Sequence, residues 1–164
     1  MSRLILILGD QLSLGISSLD GANKARDTVL MCEVMAEATY VGHHKKKIAF
    51  VFSAMRHFAE ALREDGYNVR YTRIDDPDNT GSFSGEIKRA HRELRPESLC
   101  VTQPGEWRVL REIRSWSKTL NLQIDLRPDH RFICSHREFR HWAEGRKSLT
   151  MEFSIARCAE KPGC

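Results

Sequence analysis

The run Arg3-Leu-Ile-Leu-Ile-Leu-Gly-Asp10 constrains the fold more than any other stretch. A strand with one wet face alternates apolar and polar residues. Here Leu4 to Leu8 are all apolar, so both faces of the strand need cover. That places the segment inside a parallel sheet with helices on each side. Asp27–Val34 (DTVLMCEV) repeats the form.

The rest of the chain supplies the matching helices. Between the two strands, QLSLGISSLDGANKAR reads as one or two helical turns and a Gly-containing loop. After Gly42, Ile48, Val51, Phe52, Met55, Phe58, Ala59 and Leu62 draw one apolar stripe at three- and four-residue spacing. Gly66 stops that helix, and Tyr67–Ile74 reads as a third strand. Ser84 is expected to cap a helix over Gly85–Leu94. SLCVTQ then gives a fourth strand, EWRVLREIRSWSKTL a helix, LQIDLRPD a fifth strand, and Ser135–Gly145 a short last helix. This βα alternation predicts a Rossmann-like, doubly wound, five-stranded parallel α/β sheet with right-handed crossovers. Ligands of such sheets sit beyond the carboxyl ends of the strands. The positions of interest are therefore Gly9–Gln11, Cys32–Glu37, Ile74–Pro77 and Gln103–Trp107.

Composition removes several classes. At 164 residues, 41% hydrophobic and 29% charged, the chain is long enough for one domain with a real core and is not of disordered type. No apolar run approaches the roughly 20 residues of a membrane span. Asp10 and Gln11 close the first run too early for a signal peptide, so a cytoplasmic location is expected. The five cysteines are scattered without a C-x-x-C or C-x-x-H pair, which argues against a zinc or iron–sulfur site within the chain. Cys100 reads as a buried strand thiol. The net charge of +4 permits nucleic-acid contact without demonstrating it. No Gly-rich dinucleotide or Walker-type phosphate loop is present.

The strand-end residues admit two readings each. Asp10 and Gln11 suit either a capped strand exit or a polar clamp on a heterocycle. Glu33 and Glu37 offer acid–base groups, ligand contacts or a solvated loop. His43 and His44, adjacent on a helix, would point about 100° apart and lack a third metal ligand. The lysines beside them oppose the helix dipole and want an anion or an acidic neighbour. Trp107 either stacks on a ligand or packs under its helix. Residue types alone lead to a soluble α/β ligand-binding domain.

A wider comparison of blocks goes further. LILGDQLS, CEVMAEATYVGHHKKKIAFVFSAMRHFAEALR, GYNVRYTRID, PGEWRV and EFRHWAEGRKSLTMEF closely resemble the iron–sulfur bacterial cryptochromes and photolyases, a group that includes prokaryotic (6-4) photolyases. The resemblance covers residues 1–153. It implies an amino-terminal α/β antenna domain that binds 6,7-dimethyl-8-ribityllumazine. It further implies that FAD and a [4Fe-4S] cluster belong to a separate carboxy-terminal helical domain, which contacts damaged DNA. Carried over residue by residue, the implied chromophore contacts are Gly9, Asp10, Cys32, Met35, Glu37, Lys46, Val51, Gly105 and Glu106. Asp10 and Glu37 would bond polar groups of the lumazine; Cys32, Met35 and Val51 would form an apolar wall. After Phe153 the likeness gives way to SIARCAEKPGC, so residues 154–164 are expected to be an out-of-frame tail following a frameshift after Glu152. On that expectation Cys158 and Cys164 are not cluster ligands, and the chain by itself does not catalyse repair. A standalone small-ligand module and an inactive fragment are the rival readings.

Overall fold

The apolar runs assemble into one parallel sheet of order β3-β2-β1-β4-β5 in the computed structural model, which describes residues 2–152. The strands are β1 Arg3–Leu6, β2 Thr28–Cys32, β3 Asn68–Thr72, β4 Ser98–Thr102 and β5 Gln123–Arg127. The helices are α1 Met35–Thr39, α2 Lys45–Glu64, α3 Phe83–Leu94, α4 Trp107–Thr119 and α5 His136–Ala143. Residues 2–127 form one unit and residues 128–152 belong to a second. The expected boundary after residue 153 lies outside the described residues.

The continuous apolarity of the first strand is explained by its two covered faces. Leu4, Leu6 and Leu8 pack with Phe83, Ile87 and Ala90 of α3 and Val109, Ile113 and Trp116 of α4. Ile5 and Ile7 point the other way, toward Met55, Ala59 and Leu62 of α2 and a short 3-10 turn at Ser17–Leu19. That 3-10 turn is all that forms where one or two helical turns were expected. The two outer strands carry charge. Arg70 of β3 pairs with Glu93 at 2.6 Å, and Asp125 of β5 with Arg127 at 2.8 Å.

Two local expectations shift by a few residues. Helix α3 starts at Phe83, and its cap is Ser82, whose side chain accepts from the Gly85 N–H at 3.2 Å. Ser84 instead ties α3 to α4: its Oγ accepts from the Trp116 indole N–H at 2.7 Å and donates to Glu112 at 2.6 Å. The start of α2 is capped by His44, whose Nδ1 accepts from the Lys46 N–H at 3.2 Å. A ring nitrogen holding a backbone N–H is committed to the helix. Among the described residues, no group of three His, Cys, Asp or Glu side chains is placed to hold a metal ion, and no helix is long and apolar enough to cross a membrane.

Candidate functional site

The carboxyl ends of β1, β2 and β4 surround a cavity of about 330 Å³. Leu8, Gly9 and Asp10 approach it from the end of β1, Cys32 and Val34 from the end of β2, and Glu37 from α1. Pro104, Glu106 and Val109 come from the β4 side, with Phe83 of α3 between them. The fourth wall is α2, which presents Lys47, Val51 and Met55 at four-residue intervals with Phe52 alongside, and His43 joins from the loop just before it. The floor is apolar and the rim polar, the usual composition of a small-molecule site.

Gly9 suits the closeness of β1 to α2. A Cβ there would lie 3.1 Å from Met55 Sδ and 3.3 Å from Val51 Cγ1. An added Cβ would need Met55 or Val51 on the α2 wall to give by a few tenths of an ångström. Cys32 is buried, and burial pushes its thiol well above the ordinary range, so it contributes an uncharged wall atom.

At the rim, one arginine joins two loops. Arg108 Nη1 and Nη2 donate to the Glu37 carboxylate at 2.9 and 2.6 Å, and Nη2 also reaches Glu106 at 3.1 Å. Tyr40 donates its hydroxyl to the other Glu106 oxygen at 2.7 Å. The Arg108 guanidinium carbon lies 4.3 Å from the Tyr40 ring centroid, and His43 meets that ring edge-on at 5.5 Å. The hydrogen bond to Glu106 raises the Tyr40 pKa, so the phenol stays protonated as the donor. The segment after β2 is thereby fastened to the start of α4.

Other polar groups near the strand ends are already engaged. Gln11 is fully buried; its Oε1 accepts from the Leu8 N–H and its Nε2 donates to the Thr102 carbonyl at 3.0 Å. It stitches β1 to β4, and, fully buried, it is not part of the cavity lining. Glu33 is equally buried, and accepts from Arg56 at 2.6 and 2.8 Å, Tyr71 at 2.7 Å and the Ile74 N–H at 2.9 Å. Burial opposes its ionisation, but these four bonds outweigh it and hold the carboxyl below its ordinary value. Glu33 therefore serves the framework.

Of the nine residues singled out in the sequence, the cavity wall brings together Gly9, Asp10, Cys32, Glu37, Val51 and Glu106. Three stand outside it. Met35 opens α1 half-exposed, Gly105 is passed over between its lining neighbours, and Lys46 points away while Lys47 lines the wall. The helical period explains the last shift, because Lys47 lies one turn before Val51. Trp107 neither packs nor reaches the cavity; it is 64% exposed, with the Arg114 guanidinium 5.7 Å from its ring centroid. Tyr40 and Arg108 were not anticipated. Their roles depend on a side-chain bridge between segments 66 residues apart in the Tyr40–Glu106 bond.

Residues 5–154 match the family described as deoxyribodipyrimidine photo-lyase-related protein. The chain belongs to this family. It is 63% identical over 163 residues to the (6-4) photolyase of Agrobacterium fabrum (strain C58 / ATCC 33970), a match spanning 99% of this chain and 32% of that protein. The chain thus spans about a third of the length of this photolyase. The photolyase-related family match takes in the whole cavity wall, from Leu8 to Val109.

Proposed function

We propose that the cavity is the antenna-chromophore site of a light-driven DNA-repair protein, and that its ligand is 6,7-dimethyl-8-ribityllumazine. The observation that carries this reading is the meeting of Gly9, Asp10, Cys32, Glu37, Val51 and Glu106 around one cavity at the strand ends. A volume of about 330 Å³ suits a bicyclic ring system with a short chain. Met55, Phe52 and Val51 give the ring an apolar seat, and Asp10, Glu37 and Glu106 offer acceptors to imide N–H and ribityl hydroxyl groups. Lys47 and His43 bring donors to the same rim.

When bound, the lumazine absorbs violet light and passes excitation to a flavin. The protein's part is to bind it, fix its orientation and keep water from the ring. Repair of DNA photoproducts by electron transfer, with FAD and a [4Fe-4S] cluster, is what the family resemblance implies for a separate helical domain, and no residue of this cavity is given a part in it. The described cysteines are not arranged for a cluster: Cys32 and Cys100 are buried and Cys134 is partly so.

The test is retention of chromophore by the purified chain. Mixed with the lumazine and passed through a desalting column, the protein is expected to keep a violet absorption band at about one equivalent. A spectrum showing protein absorption only, or equal retention of an unrelated nucleotide, would overturn the assignment.

A further inference from the structure

Away from the cavity, helices α3 and α4 cover the same sheet face and are joined by the Ser84–Trp116 and Ser84–Glu112 bonds. Their outer surface is strongly cationic. The two helices hold Lys88, Arg89, Arg92, Arg108, Arg111, Arg114 and Lys118 against only Glu86, Glu93 and Glu112. All three of those carboxylates are engaged: Glu86 with Arg89, Glu93 with Arg70, and Glu112 with Ser84. Arg111, Arg114 and Lys118 are exposed on one stripe of α4; Lys88, Arg92 and Arg95 are exposed along α3 and its cap. Among the described residues, none of these six cations appears in an ion pair.

Six exposed cations with no ion-pair partner outnumber the carboxylates beside them, Glu93 near Arg92 and Glu112 on α4, and the excess repels itself unless an anion meets it. Three features select the kind of anion. Arg111 to Lys118 spans about 10 Å along the helix at 1.5 Å per residue, about three phosphates at one per 3.4 Å of duplex axis on each strand. Four of the six are arginines, whose fork suits phosphate oxygens. The large exposed apolar side chains of the two helices are Leu94 and Trp107, at opposite ends of the layer. The face therefore lacks the apolar centre of a protein interface and the apolar stripe of a membrane-bound helix.

We propose that the outer face of α3 and α4 binds the phosphate backbone of duplex nucleic acid without reading its sequence. This contact is independent of the cavity and of what the cavity holds. It puts nucleic-acid affinity in the α/β unit itself, where the sequence reading had reserved it for another domain.

The experiment measures anisotropy of a short fluorescent, undamaged B-form duplex with the 164-residue chain across a salt series. Binding is expected to weaken with salt at a log–log slope of about −3 or steeper, about −0.9 per phosphate contact. Arg111→Glu/Arg114→Glu is expected to weaken binding at least tenfold and to flatten the slope by about 2. The charge-matched variant Arg26→Glu/Lys45→Glu, changed at exposed sites elsewhere, should shift affinity less than threefold. Circular dichroism checks each fold; if the α4 variant unfolds, Arg111→Gln/Arg114→Gln replaces it and must still flatten the slope. Equal weakening by both pairs would reduce the effect to net charge and overturn the proposal. So would the absence of duplex binding, or binding to polyglutamate at equal strength.

Discussion

Two carboxylate networks begin within five residues of each other and do opposite things. Glu33, at the end of β2, is fully buried and held by Arg56, Tyr71 and a backbone N–H. Glu37, one helical turn later, lies at the cavity rim and meets Arg108 in the open, where that arginine is 41% exposed. Both look alike in sequence, as glutamates in CEVMAE. The difference is solvent. A buried carboxylate must have every partner in place, because water cannot substitute; a rim carboxylate can exchange a protein partner for a ligand at little cost. The inner network therefore builds the framework and the outer one is available for recognition.

The largest expected effect comes from breaking the inner network. Glu33→Ala strips Arg56, Tyr71 and the Ile74 N–H of their common acceptor and should cost about 3 kcal/mol, read as a lower urea midpoint. Buried carboxylates also give the fold a pH signature, Glu33 through this network and Glu86 through its own bonds to Arg89, Thr80 and Thr72. Glu33 and Glu86 both have folded pKa values below the ordinary 4.5. Their contribution is present above that value and is lost as pH falls through the lower folded values. Acid unfolding should begin below about pH 4.5 and be shallower in Glu33→Gln, whose side chain does not titrate. An unchanged acid limb would assign the acid sensitivity to other groups.

Filling the cavity comes next. Val51→Trp places a large ring where Gly9 already approaches to within contact distance of α2. It should lower lumazine retention at least tenfold while the chain still unfolds cooperatively in urea, with crowding against Gly9 costing about 1–2 kcal/mol of stability. Retention equal to that of the parent chain would show that the ligand sits elsewhere. The smallest effect is expected for Arg108→Met. It removes a rim bridge whose members are all partly solvated, so stability should move by at most about 1 kcal/mol. Ligand off-rate is the sharper readout: it should rise severalfold if Arg108 orients Glu37 and Glu106, and stay unchanged if the bridge is incidental.

The layer architecture was legible because it rests on local patterns: continuous apolarity in Leu4–Leu8, and the spacing of Met55, Ala59 and Leu62. Cavity positions were legible where family resemblance supplied them and where strand ends had to converge. Lys47 rather than Lys46 lines the cavity because neighbouring lysines differ by a 100° rotation about the helix, which composition does not register. Arg108 and Tyr40 escaped notice because their partners are remote in sequence. Glu33 and Gln11 looked available for chemistry because burial depends on what packs over them, here Tyr71 with the segment after β3, and the end of β4.

The charged outer strands have a consequence for assembly. Any chain adding itself beside β3 or β5 would have to desolvate Arg70, or Asp125 with Arg127, against its own backbone. These charges make each margin a poor template for a further strand, which disfavours β-type fibre growth from the native fold.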